Sequence, residues 1–129
     1  MLQEQVPAMT KAPHIRLKLW LQQDDMPLLG PGWAQLLKKI GEYGSIRKAA
    51  QHFGMSYRAA WGRIKRIEDA MGFALLEAGR TRREGSRLSP AGREVVEAFL
   101  AWYEDVYCYA LRRADSLPFP VVREKPPVT

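Results

Sequence analysis

The sequence predicts a mainly α-helical domain carrying a small β-hairpin, and three observations predict it. Apolar residues recur at helical spacing in four separate stretches, each opened by a residue that caps or starts a helix. The polar run AGRTRREGSR, residues 78–87, separates two short apolar segments and reads as a hairpin turn. Finally, 129 residues with 47% apolar and 26% charged side chains suffice for one small domain, with or without a tail.

Taken in order, residues 1–14 mix Gln, Pro and Lys without periodicity and read as a flexible leader. From Ile15 to Leu21, apolar Leu17, Leu19 and Leu21 alternate with Arg16, Lys18 and Trp20, the period of a half-buried strand. QQDDMPLLGPG then holds two prolines and two glycines and must turn. A first helix follows from about residue 32 to Tyr43, carrying Trp33, Leu36, Leu37 and Ile40 on one side, with Gly41 and Gly44 near its stop. Ser45 caps a second helix whose inner face is Ile46, Ala49, Ala50 and Phe53, and Gly54 ends it.

Ser56 caps a third helix reaching Met71, with Ala60, Trp61, Ile64, Ile67 and Met71 on one side and Gly72 as its stop. Phe73 to Glu77 forms a short strand, and Leu88 starts the returning one. Ser89 followed by Pro90 starts a fourth helix of roughly 24 residues, spanning about 36 Å. Residues 114–129 hold Pro118, Pro120, Pro126 and Pro127, which favours an extended proline-rich tail. The organisation expected is therefore leader 1–14, domain 15–113 and tail 114–129.

Two short helices joined through Gly54, then a basic hairpin, make up the order of a winged helix-turn-helix. Charge placement supports it. Residues 45–93 carry eleven Lys and Arg against four acids, a net +7, whereas the remainder carries nine against ten. The whole excess of the chain's +6 thus lies where a phosphate backbone would be met, and neutralising phosphates releases counterions.

Other classes are disfavoured. The single Cys108 and the two separated histidines, His14 and His52, leave too few ligands for a structural zinc site and no intramolecular disulfide. Neither histidine has a nucleophile partner in sequence, no glycine loop cradles a phosphate, and no paired carboxylates stand out. The expectation is a cytoplasmic protein that is not an enzyme, holds no cofactor or metal, and makes no use of a membrane.

On the third helix, the side opposite Trp61 and Ile64 holds Arg58, Gly62 and Arg66, flanked by Ala59, Arg63 and Lys65. Arg58 lies in the first turn, where it can donate two hydrogen bonds to guanine O6 and N7. Arg63, Lys65 and Arg66 suit phosphate contacts, and Gly62, poor helix material, suggests close backbone approach to DNA. Tyr57 reads equally as a phosphate contact or as packing beside the turn. Ser56 caps the helix, and its amide can hold a phosphate. Ser45 and Arg47 at the start of the second helix join this set. Arg80, Arg82, Arg83 and Arg87 make the wing, which either meets DNA or forms a basic loop.

In the fourth helix, Val95, Phe99, Trp102, Val106 and Tyr109 form one apolar stripe, and Val96, Leu100, Tyr103, Tyr107 and Ala110 a second. A lone helix on a small domain needs one. Two suggest that one packs on the domain's own core and the other on a second copy, whose recognition helices would meet half-sites about one DNA turn apart. Phe99, Trp102, Tyr103, Val106 and Tyr109 are the candidate dimer contacts.

At GSIRKAAQHFGMSYRAAW, residues 44–61, the sequence resembles the DNA-binding domain of the ModE family of molybdate-responsive bacterial regulators. RLKLWL at 16–21, LLGPG at 28–32 and RLSPAGRE at 87–94 fall in that family's order, so the likeness covers roughly residues 15–113. LysR-type regulators share the GSxxxAA element and the wing pattern more distantly. The resemblance implies a winged-helix homodimer on a palindromic operator in double-stranded DNA, with Ser56, Tyr57 and Arg58 starting the recognition helix and the arginine-rich turn as wing. ModE proteins also carry a C-terminal oxyanion-binding region, which these residues do not include. The expectation is therefore a ModE-type regulator lacking the molybdate-sensing domain, controlling molybdate or tungstate transport or molybdenum-enzyme genes, with a separate sensor or partner protein. The alternative is a protein-interaction or architectural module that keeps the fold and acts through a partner regulator.

Overall fold

The computed structural model describes residues 6–81 and 85–123. Two-stranded hairpin β1 (Leu21–Gln23) and β2 (Met26–Leu29) is followed by helices α1 (Pro31–Tyr43), α2 (Ile46–His52) and α3 (Tyr57–Met71). A second hairpin, β3 (Leu76–Ala78) and β4 (Ser86–Leu88), leads into the long α4 (Pro90–Arg113) and a 3-10 turn at Ala114–Ser116.

Local chemistry sets the helix boundaries. Pro31 occupies the first turn of α1, and Gly44 ends it at φ 67°. The side chain of Ser45 accepts from the Lys48 amide, that of Ser56 from Ala59, and that of Ser89 from Gly92. Gly54 at φ 67° turns the chain between α2 and α3.

The core lies where α1, α2, α3 and the inner side of α4 meet, with Leu36, Leu37, Ile40, Ala49, Ile64, Ile67 and Leu75 fully buried. The β4 strand is drawn onto the helices by its Ser86 amide, which donates to the Gly44 carbonyl at 3.1 Å. At the start of α4 the backbone passes so close to Leu75 that a side chain at Gly92 would overlap the Leu75 carbonyl.

Five expectations are corrected, the first being Phe53, which stands exposed at the C-cap of α2 instead of on its inner face. Residues 15–20 are not a strand. The burial alternation is there, but among the described residues no neighbouring strand offers a ladder, and α4 supplies the partners instead: Tyr103 donates its hydroxyl to the Leu17 carbonyl, and Tyr107 donates to the Ile15 carbonyl at 2.8 Å. The stretch expected only to turn contains the β1–β2 hairpin, with Asp24 at φ 52° in its turn. Its strands pair Leu21 with Leu29 and Gln23 with Met26.

Trp61 stands outside the core at 46% exposure, because Ala60, Ile64 and Ile67 already fill the inward side of α3. Residues 114–123 fold back rather than run free. Val122 bridges to His14, its amide donating to Pro13 at 2.8 Å, and Arg123 engages Asp115 and the Leu111 carbonyl.

Candidate nucleic-acid interface

The two serine caps and the left-handed Gly54 set where α2 and α3 begin and how the chain turns between them, with α3 presenting its outer side to solvent. That side carries Arg58, Lys65 and Arg66, all exposed, around Gly62. A Cβ added at Gly62 would meet nothing within 4 Å, so the gap is open to whatever approaches the helix. Arg47, in the first turn of α2, lays its guanidinium over the Tyr57 ring at 4.8 Å from the centroid, a contact that joins the starts of the two helices. Ser45, Arg47, Tyr57, Gly85 and Ser86 line one shallow depression, so the base of the hairpin lies beside the start of α3.

Of the cations expected on the DNA face, Lys65, Arg87 and Arg63 find partners within the molecule. Lys65 lies 3.3 Å from Glu68 and 5.6 Å from the centre of the Trp61 ring. Arg87 pairs with Glu77 across the hairpin at 2.8 Å. Arg63, expected to meet phosphate, instead turns toward β2 and α1. Its Nη2 donates to the Pro27 carbonyl at 2.8 Å, its guanidinium lies 5.2 Å from the Trp33 ring centre, and its Nε is buried with no acceptor among the described residues. This burial, with Arg66 nearby, lowers its pKa from the usual guanidinium value. Arg80 is exposed on the hairpin, whereas Arg82 and Arg83 lie outside the described residues.

On α4 the two apolar stripes separate differently from the expectation. Phe99 at 4% and Tyr103 at 2% exposure belong to the domain's own core, together with Val96 and Tyr107. They are not available to a second copy, because the 15–19 segment and the core cover them. Trp102 at 40% and Tyr109 at 56% remain outward, with Val106 half-buried between them. The Trp102 ring packs edge-on to Phe99 at 5.7 Å, which holds it in place.

Sequence reasoning missed Glu68 altogether. Its carboxylate accepts from the amides of Leu75 at 2.7 Å and Leu76 at 3.2 Å, tying the end of α3 to the start of the hairpin. An acid eight residues before a strand carries no local signature of such a role. The sequence signal for Trp61 is its place at the margin of the apolar stripe, four residues after Tyr57 and four before Lys65.

Among the described residues no group of three His, Cys, Asp or Glu is placed to hold a metal, and no helix is long and apolar enough to cross a membrane.

Residues 32–93 match the model of the bacterial regulatory helix-turn-helix proteins of the lysR family. The CbnR DNA-binding domain, solved in complex with DNA, superposes at a TM-score of 0.56 and 23% identity, over 69% of this chain and 100% of that one. The BenM DNA-binding domain bound to catB site 1 DNA gives 0.54 at 18% identity, over 68% and 92%. The fold is a winged helix-turn-helix.

In winged-helix terms, α2 and α3 are the helix-turn-helix and β3–β4 the wing. Two curated relatives come from Rhodobacter capsulatus. The molybdenum-pterin-binding protein MopA is 31% identical over 83 residues, 63% of this chain and 31% of MopA. MopB is 33% identical over 73 residues, 55% of this chain and 27% of MopB. The chain thus spans less than a third of the length of either relative.

Proposed function

We propose that this winged helix is a sequence-specific DNA-binding transcriptional regulator that docks α3 in the major groove. The observation carrying the reading is the outer side of α3, where Arg58 and Arg66 stand exposed around the open space at Gly62 while Ser56 caps the helix behind them. An exposed arginine in the first turn of a groove-docked helix can donate in bidentate fashion to guanine. Arg66, Arg47 and Arg80 then serve phosphates, and Ser45, Ser56 and Tyr57 border the same backbone path. Glu77 beside Arg87 reduces what that arginine adds to the wing's charge.

The remaining outward stripe of α4, Trp102, Val106 and Tyr109, is the surface on which a second copy would pair, giving a homodimer on a palindromic operator. The two Rhodobacter relatives, whose names specify molybdenum-pterin binding, support a ModE-type regulon of molybdate or tungstate transport or molybdenum-enzyme genes.

Selection from a random double-stranded DNA pool at moderate salt tests the reading. Enrichment of an inverted repeat is the expected outcome. Retention without enrichment would replace it with an architectural role, and no retention with a protein-interaction module.

A further inference from the structure

A second concave surface lies away from α3, where the wing meets α1 and the start of α4. The cleft measures about 640 Å³, within the roughly 300–1,000 Å³ of small-molecule sites. Its floor is apolar, formed by Leu88, Val96 and Leu100. Its rim is cationic, with Lys38 from α1, Arg80 from the wing and Arg93 from α4. None of these three makes an ion pair among the described residues. Two acids also border the cleft, but Glu42 is held by Lys39 at 3.0 Å, which leaves Glu97 alone against three cations.

An apolar floor under a net positive rim selects an occupant with an apolar body and an acidic group. A bare inorganic anion would leave the floor unused, and a neutral ligand would leave the net positive charge of the rim uncompensated. We propose that this cleft is a binding site for a small organic anion, an aromatic or alicyclic carboxylate in chemical class. Because Arg80 and Leu88 belong to the wing, an occupant would draw the wing toward α4 and take a cation from the DNA face. That regulatory consequence rests on the DNA-binding reading, whereas the site does not.

The test is a titration of the ¹⁵N-labelled chain, without DNA, with 1-naphthoate and with its neutral counterpart 1-naphthalenemethanol, followed by amide shifts. Saturable shifts confined to Gly41, Leu88, Val96 and Leu100 are expected with naphthoate, and about tenfold weaker binding of the alcohol. The double variant Lys38→Glu/Arg93→Glu, which changes rim side chains outside the core, should lose naphthoate binding while keeping the native spectrum elsewhere. Equal affinity for the two probes, shifts centred on Trp102 and Tyr109, or binding unchanged in the double variant would overturn the proposal. A tetraglutamate peptide shifting the same amides where naphthoate does not would also overturn it, reassigning the cleft to an acidic protein segment. Failure of DNA binding alone would leave every one of these readouts intact.

Discussion

The Nη2 of Arg63 donates to the carbonyl oxygen of Pro27 at 2.8 Å, so the middle of α3 is tied to the leading hairpin by one of its own cations. A guanidinium held between that carbonyl and the Trp33 ring acts first on the fold. Arg63→Ala should lower unfolding free energy by about 1–3 kcal/mol, the range for a charged hydrogen bond plus lost stem packing. Urea denaturation checks this. An unchanged midpoint together with a shallower salt dependence of DNA binding would return Arg63 to the phosphate contacts.

Arg58 and Arg66 differ in what they should read. Arg58→Ala is expected to cost about 1–3 kcal/mol at one base pair and to relax preference there. Arg66→Ala should weaken binding to all sequences alike and reduce the salt slope by about one. Titrations on a selected site, a single-base variant and random DNA separate them. Equal losses on all three for Arg58→Ala would sink the base contact.

Two glycines should respond oppositely to the same methyl group. Gly62→Ala places it in open space on an exposed helix, so thermal unfolding should show a gain of about 1 kcal/mol. Its specific DNA affinity should fall if the backbone approaches the groove there. Gly92→Ala drives it into the Leu75 carbonyl, and a loss of about 1–3 kcal/mol follows from overpacking. A neutral Gly92→Ala would mean that α4 can shift off the hairpin.

The α4 helix offers a clean division between inner and outer aromatics. Trp102→Asp should abolish self-association in sedimentation without altering the monomer's circular dichroism. Phe99→Ala should instead cost about 3–5 kcal/mol of stability at any protein concentration. A Trp102→Asp chain that still dimerises would place the interface elsewhere.

Burial, with Tyr107 nearby, raises the Tyr103 phenol above its ordinary 10.0. Its folded pKa therefore exceeds its unfolded one. The associated stability is fully present below the unfolded pKa and is lost as pH rises through the folded value. Denaturant midpoints should accordingly fall at alkaline pH in the native chain and fall less in Tyr103→Phe; parallel curves would contradict this.

What the sequence disclosed and what it hid follow from the range of the interactions. Ser45, Ser56 and Ser89 each bond an amide three residues on, and Gly44, Gly54 and Gly72 act on the chain beside them, so the helices and their order were readable. Arg63 finds its acceptor 36 residues away, and Ile15 and Leu17 are held by tyrosines from the far end of the chain. No local pattern announces either. For the same reason, the two stripes of α4 were visible, but which aromatic faced inward depended on where residues 15–19 would lie. The cationic surface was legible as composition. Its division into exposed and internally engaged arginines required the fold.

The two tyrosine hydroxyls that hold residues 15–19 span 86 and 92 positions of sequence, whereas the helix caps close over three. Longer loops cost more entropy to close, and contacts between distant residues slow assembly. The leading segment is therefore expected to dock on a helix that nearer contacts have already built. Its detachment would uncover Tyr103 and Tyr107 while leaving the helix-turn-helix in place, a subglobal opening that amide exchange would register in α4 before α3.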